Sequence, residues 1–346
     1  MNNKKKVAIL LTKDMAESIF GLDINKSDLK LLAEIADFND PAELPDKMTQ
    51  DIMLELIKDA DACVSCWGTP PFTAEMLDAA PNLKLIAHGA GSVKALLPSK
   101  LRPTITQRGI RVTSNAPMIA KDVAQTVLAL MLTSLLQLWG NAAGTKKGGW
   151  KGGESGSFTT KKINGLDIGL IGLSYVCREV IAILKPFDVN IKVWDPYACE
   201  LEARKLGVTL TSLEDLLSTC DVVSVHAPAN EDCRHILNAA NLPLMRDGTL
   251  FINTARGMIV DEPALIKELE TGRIFACIDV TDPEPPRADH PFRTLDNVVL
   301  TSHVAGGHTS NGRRMLGANT ILQLCNYLTK GFVEYVVREE QIEHMA

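Results

Sequence analysis

The sequence predicts an α/β protein with two doubly wound domains, each built on a parallel sheet. Three observations lead there. The chain has 346 residues, enough for two domains at about 150 residues each. Short apolar runs alternate with helical patterns over most of its length, the signature of βαβ units. A strand–turn–helix segment at Gly172 opens a second, longer series of the same alternation.

In chain order, Val7–Leu11 reads as a strand, 28–36 and 51–58 as amphipathic helices, Ala62–Cys66 as a strand, 73–79 as a helix and Leu83–Ala87 as a strand. Residues 119–138 read as one long helix. Residues 140–160 carry seven glycines, which marks a connection. Strands then follow at 167–171, 190–194, 222–225, 249–252, 274–278 and 298–300, with helices between most of them, and a last helix spans 313–328.

Composition narrows the function. The net charge is −6, without the basic excess that nucleic acid requires. No run of like charge exceeds Lys4-Lys5-Lys6, so no docking to a membrane surface is expected. Five apolar residues at 7–11 are too few for a signal-peptide core. The stretch 123–138, broken by Gln125, Thr126, Thr133, Ser134 and Gln137, reads as too short and too polar to span a bilayer. Eight sparse cysteines fit a reduced, cytoplasmic protein. Cys63 and Cys66 share one strand, where residues three apart face opposite sides, so a metal or redox pair is not expected. No metal site is expected.

The turn after the strand 167–171 reads G-x-S-x-x-C, with Gly172, Ser174 and Cys177, where a dinucleotide turn has three glycines. A second strand ends in Asp195, 23 residues after Gly172. An acid there accepts hydrogen bonds from ribose hydroxyls and repels a 2′-phosphate, which favours NAD. Serine fits the turn if its φ stays negative, while the Cys177 sulfur must find a gap between helix and sheet. An ordinary βα turn with no ligand remains the other reading of this segment alone. Gly172, Ser174, Tyr175 and Val176 are its candidate cofactor residues.

Three later segments each put a charged or titratable residue just past a strand: Arg256 in 251–262, Glu284 in 277–285, and His303 in 299–307. With His88-Gly89-Ala90-Gly91, Asp195-Pro196-Tyr197, Ser224-Val225-His226-Ala227-Pro228 and Asn253-Thr254-Ala255-Arg256-Gly257, they make the chain resemble the D-isomer-specific 2-hydroxyacid dehydrogenases over nearly its whole length. The resemblance implies two Rossmann-like or flavodoxin-like domains with the active site in the cleft between them. Residues 118–302 would bind NAD, and 1–117 plus 303–346 would bind substrate.

It also implies roles. Arg256 would hold the substrate carboxylate and polarise the keto oxygen, and His303 would be the acid/base. Glu284 would orient His303, and the amides of Ala90, Gly91 and Ser92 would bind the carboxylate. His226, Ala227 and Pro228 would line the adenine side. Thr254 and Ala255, with Arg256 and His303, would line the nicotinamide, and Asp279 would be a cofactor-side aspartate. The substrate would be a small 2-keto or 2-hydroxy acid, and the protein a homodimer. The related formate dehydrogenases pair the histidine with glutamine, so Glu284 points to hydroxy-acid chemistry. A corepressor-type NAD(H)-binding regulator with little turnover is the alternative, and the altered phosphate turn is what supports it. Two further departures are Ser302 in place of a proline before His303, and Gln125 where a glutamate is common.

Overall fold

A computed structural model of the protein describes residues 4–150, 160–343 and 345. The chain divides into two compact units, Met1–Ile119 with Gly307–Met345, and Ala120–Gly306. His303 falls in the second unit, which runs on to Gly306.

The first unit holds β1 (Lys5–Ile9), β2 (Ala36–Phe38), β3 (Ala62–Ser65), β4 (Leu85–His88) and β5 (Arg111–Ser114), in the order β2-β1-β3-β4-β5 and parallel throughout. Every residue of β3 and β4 is buried, as expected of central strands covered on both faces. The sequence reading missed β2 and β5. Both are edge strands of three or four residues that begin beside or contain exposed charges, Asp37 and Arg111, so neither has a long apolar run to announce it. The helices predicted at 51–58 and 73–79 start one residue from where Thr49 and Thr73 cap them, each hydroxyl accepting the N–H three residues on.

The second unit holds β6 (Asp167–Ile171), β7 (Asn190–Trp194), β8 (Thr209–Leu210), β9 (Val222–Val225), β10 (Leu250–Asn253), β11 (Phe275–Ile278) and β12 (Val298–Leu300). Its order is β12-β11-β10-β9-β6-β7-β8, again parallel. The chain winds outward from β6 to β8, then returns to β9 on the other side of β6. The switch point lies between β6 and β9, and open α/β sheets bind ligands at the carboxyl ends of the strands there.

The long helix runs Ala116–Leu135, three residues earlier than expected at each end. It ends where Gln137 turns left-handed, and a further helix, Leu138–Lys146, occupies the start of the expected connection. Residues 151–159 of that connection lie outside the described residues. With mean hydropathy 1.3, Ala116–Leu135 is long and apolar enough by composition to cross a membrane, contrary to the sequence reading of 123–138. Ala120, Val123, Ala124, Val127 and Met131 are buried, and Thr126 donates to the carbonyl of Ala305 at 2.9 Å. These are the contacts of a helix packed on protein.

Candidate active site

The turn after β6 is built around one glycine. Gly172 has φ +92°, and a Cβ on it would lie 2.7 Å from both N and Cα of Ala227. Only glycine meets both constraints. Ser174, at φ −75°, caps the helix Tyr175–Leu184 by accepting the N–H of Cys177 on its hydroxyl. The serine thus keeps the negative φ that the sequence reading required. Cys177 is fully buried. Its sulfur has found a place in the core, and burial raises the thiol far above its usual range.

Asp195, just past β7, faces this turn. Its Oδ2 accepts the N–H of Leu173 at 2.7 Å and its Oδ1 the N–H of Tyr197 at 2.8 Å. Next along the carboxyl edge come His226 after β9 and Thr254 after β10, neighbours by the register Asn253↔Val225. Both are buried. Among the described residues neither ring nitrogen of His226 has a hydrogen-bond partner, nor has Thr254 Oγ1 or Ser224 Oγ. Burial pushes His226 down to about 3, so the ring is neutral. Pro228 follows Ala227 at the surface of this row.

Such orphaned buried groups are rare in proteins and call for a missing partner. A helix N-terminus at Tyr175 and Val176 suits a diphosphate, and Asp195 suits a ribose. The row fits a dinucleotide.

At β10, β11 and β12 the edge becomes ionic. Asn253 shapes the first turn: its Oδ1 accepts the N–H of Ala255 and its Nδ2 donates to the carbonyl of Arg256, both at 3.0 Å. The half-buried Arg256 guanidinium donates to the carbonyl of Ala255 at 2.6 Å. Burial lowers its pKa and the Glu284 carboxylate opposes that shift. His303 Nδ1 lies 2.8 Å from Glu284 Oε2. A carboxylate only accepts, so Nδ1 carries the hydrogen and Nε2 is left for exchange.

His303 has φ +56°, a left-handed conformation that costs a non-glycine residue about 1–3 kcal/mol. Asp279 supplies the restraint. Its carboxylate accepts from Thr301 Oγ1 and from the N–H groups of Val304 and Ala305, while its carbonyl accepts from the N–H of His303. Asp279, expected beside the cofactor, is placed as the clamp of the turn that carries the histidine. No sequence pattern signals that role, because it depends on β11 and β12 being adjacent.

In the first unit, the loop after β4 is tied down by its carbonyls. Asn115 Nδ2 donates to Gly89, the Asn115 N–H to Ala90, Ser114 Oγ to Gly91, and the His88 ring to Ser92. Among the described residues the N–H groups of Ala90, Gly91 and Ser92 have no protein acceptor. Three such amides, in a loop anchored through its carbonyls, can receive an anion. Ser114 and Asn115 were not singled out from the sequence, and His88 was read only as part of the motif His88-Gly89-Ala90-Gly91. The histidine beside the glycines was the available signal.

Residues 128–305 match the D-isomer specific 2-hydroxyacid dehydrogenase family through its NAD-binding domain. The chain belongs to this family. NAD(H) is accordingly its cofactor, in agreement with the row of residues at Gly172, Asp195, His226 and Thr254. A D-3-phosphoglycerate dehydrogenase of Methanocaldococcus jannaschii is 30% identical over 92% of this chain, which spans 59% of that relative's length. A glyoxylate reductase of Thermofilum pendens is 33% identical, with 77% of this chain and 78% of the relative covered. In fold, a phosphoglycerate oxidoreductase of Rhizobium etli superposes with TM-score 0.78 at 24% identity, covering 97% of this chain and 99% of its own.

Proposed function

We propose that the protein interconverts a small 2-keto acid and its D-2-hydroxy acid, with His303 as acid/base, Glu284 as its support and Arg256 as the substrate anchor. The observation that carries this reading is the 2.8 Å contact between His303 Nδ1 and Glu284 Oε2, beside a guanidinium with no carboxylate partner among the described residues. Bound NAD(H) supplies or accepts the hydride.

In reduction, His303 gives a proton from Nε2 to the carbonyl oxygen, while Glu284 accepts from Nδ1 and orients the ring. In oxidation, neutral His303 takes the hydroxyl proton at Nε2. Arg256 stays charged at neutral pH despite burial, and its fork donates two parallel hydrogen bonds to a carboxylate or draws charge onto a keto oxygen. In the first unit, the amides of Ala90, Gly91 and Ser92 are donors suited to a carboxylate. A cytoplasmic homodimer belongs to the same reading, supported by eight unbonded cysteines and by the exposed apolar side chains of Leu136, Leu138 and Trp139.

The test is steady-state oxidation of NADH with glyoxylate, hydroxypyruvate, pyruvate and longer 2-keto acids, with the product's chirality determined. Turnover to a D-hydroxy acid is expected. Tight NADH binding with no turnover on any of them would replace this reading with that of a nucleotide-sensing regulator.

A further inference from the structure

The turn that carries Glu284 is held from behind by a buried acid. Glu262 is 8% exposed and stands at the first position of the helix Glu262–Glu270. Its Oε1 accepts the N–H of Asp282 at 2.8 Å, and its Oε2 lies 3.1 Å from His290 Nε2. His290 Nδ1 accepts the N–H of Phe292 at 3.3 Å, so the ring hydrogen is on Nε2 and points at the carboxylate. Burial raises the pKa of Glu262, while the Asp282 amide and His290 lower it. The other charged group facing it is the Asp282 carboxylate, itself 3.7 Å from Arg234.

The peptide that Glu262 grips is central to the site. The N–H of Thr281 donates to Glu284 Oε1 at 3.2 Å, so this carboxylate is held on one oxygen while the other meets His303. The same Thr281–Asp282 peptide lies against Gly257, where a Cβ would be 2.1 Å from the Thr281 carbonyl carbon and 2.5 Å from the Asp282 nitrogen. Gly257 directly follows Arg256. Two successive peptides joined at Thr281 therefore set both the residue that supports the histidine, through the Thr281 N–H, and the turn that carries the arginine, through the Thr281–Asp282 peptide against Gly257.

We propose that Glu262, oriented by His290, is a positioning residue: by fixing the Asp282 amide it sets the Glu284 carboxylate against Nδ1 of His303 and the Arg256 turn beside it. This rests on the reading of His303 as acid/base. A carboxylate is suited to the task because an anion accepts both hydrogen bonds strongly, and the positive end of the helix stabilises it there.

The test is kinetics on the full chain, normalised to folded protein, with NADH binding measured separately. Glu262→Ala is expected to lower kcat on the order of 10²-fold, the effect of a displacement of about 1 Å, with NADH affinity unchanged and the pH profile of kcat shifted. Glu262→Gln, which keeps an acceptor for the Asp282 amide, restores most of kcat. His290→Leu loses several-fold with the same shift in profile and carries the test if Glu262→Ala does not fold. Because the effect runs through Glu284, Glu262→Ala adds little to Glu284→Gln. A wild-type kcat and pH profile in Glu262→Ala, or in His290→Leu, overturns the proposal. His303→Gln separates the two readings: lost turnover there with an unaffected Glu262→Ala sinks only the positioning role, whereas retained turnover in His303→Gln sinks the acid/base reading first.

Discussion

Two regions of the molecule, one in each unit, treat their buried polar groups in opposite ways. Around the loop after β4, Ser65 meets His88 at 3.0 Å, and Asn115 Nδ2 donates to Gly89, Leu316 and Thr320 at 3.0–3.1 Å while Asn319 donates to its Oδ1. At the carboxyl edge of the second sheet, the side-chain polar atoms of Ser224, His226 and Thr254 are equally buried and have no partner among the described residues. A closed network holds a loop in one shape. An open one bears a desolvation cost of about 1–3 kcal/mol per group until something binds. The first region is therefore scaffold and the second is seat.

The largest test of this contrast lies where the seat becomes chemical. His303→Gln should lower kcat by about 10²–10⁴-fold and leave NADH affinity within a few-fold, read by steady-state kinetics and fluorescence titration. Equal losses in kcat and NADH affinity would mean that the ring is part of the seat only.

Two glycines come next. Gly172→Ala meets backbone at 2.7 Å from a left-handed position, whereas a Cβ at Gly91 meets nothing closer than Ile119 Cδ1 at 3.5 Å. The first should weaken NADH binding at least about tenfold, because its strain falls in the 1–3 kcal/mol range or above. The second should leave NADH binding alone and raise the KM of the keto acid.

Acid separates the two buried histidines. Burial lowers His88 to about 4 and His226 to about 3, from 6.5. Below pH 6.5 the unfolded chain takes up protons that the folded chain refuses. Stability is thus complete above that pH and is lost as pH falls toward 4 at His88 and toward 3 at His226. The loss is about 3 kcal/mol for His88 and larger for His226. Urea midpoints against pH should flatten more in His226→Gln than in His88→Gln, and the reverse order would contradict the burial argument.

The sharpest small test pairs a closed group with an open one. Asn115→Ala should cost about 2 kcal/mol by stranding the Gly89 carbonyl. Thr254→Val should be neutral or slightly stabilising, yet weaken NADH. The smallest effect on NADH binding is expected at Cys177→Gly, which should cost about 1 kcal/mol of helix stability and leave NADH affinity unchanged. Tighter NADH binding would mean that the sulfur crowds the turn after all.

Much of this was legible in the residue order. Central strands such as β3, β4, β9 and β10 are mostly apolar, with three of four residues hydrophobic in each, so hydrophobic patterning exposes them, and threonine caps fix helix starts by local chemistry. Arg256, Glu284 and His303 could be read because each follows a strand with little intervening sequence. What escaped was short, edge-placed or relational. β2, β5 and β8 are too brief to show a period. Glu262 and His290 look like ordinary surface charges until the turn at 281–285 is folded over them.

The sequence by itself determined that the chain forms two parallel α/β units, that a strand–turn–helix with Gly172 opens the second, and that Arg256, Glu284 and His303 each stand just past a strand. Those facts follow from local periodicity and from residue types that few other tasks require. Only the tertiary structure decided that Asp279 clamps the left-handed turn of His303, that Ser174 replaces a glycine as a helix cap, and that Glu262 stands behind Glu284. Each of these is a hydrogen bond with fixed direction and length, often between residues far apart in the chain, and such geometry exists only once the strands lie side by side.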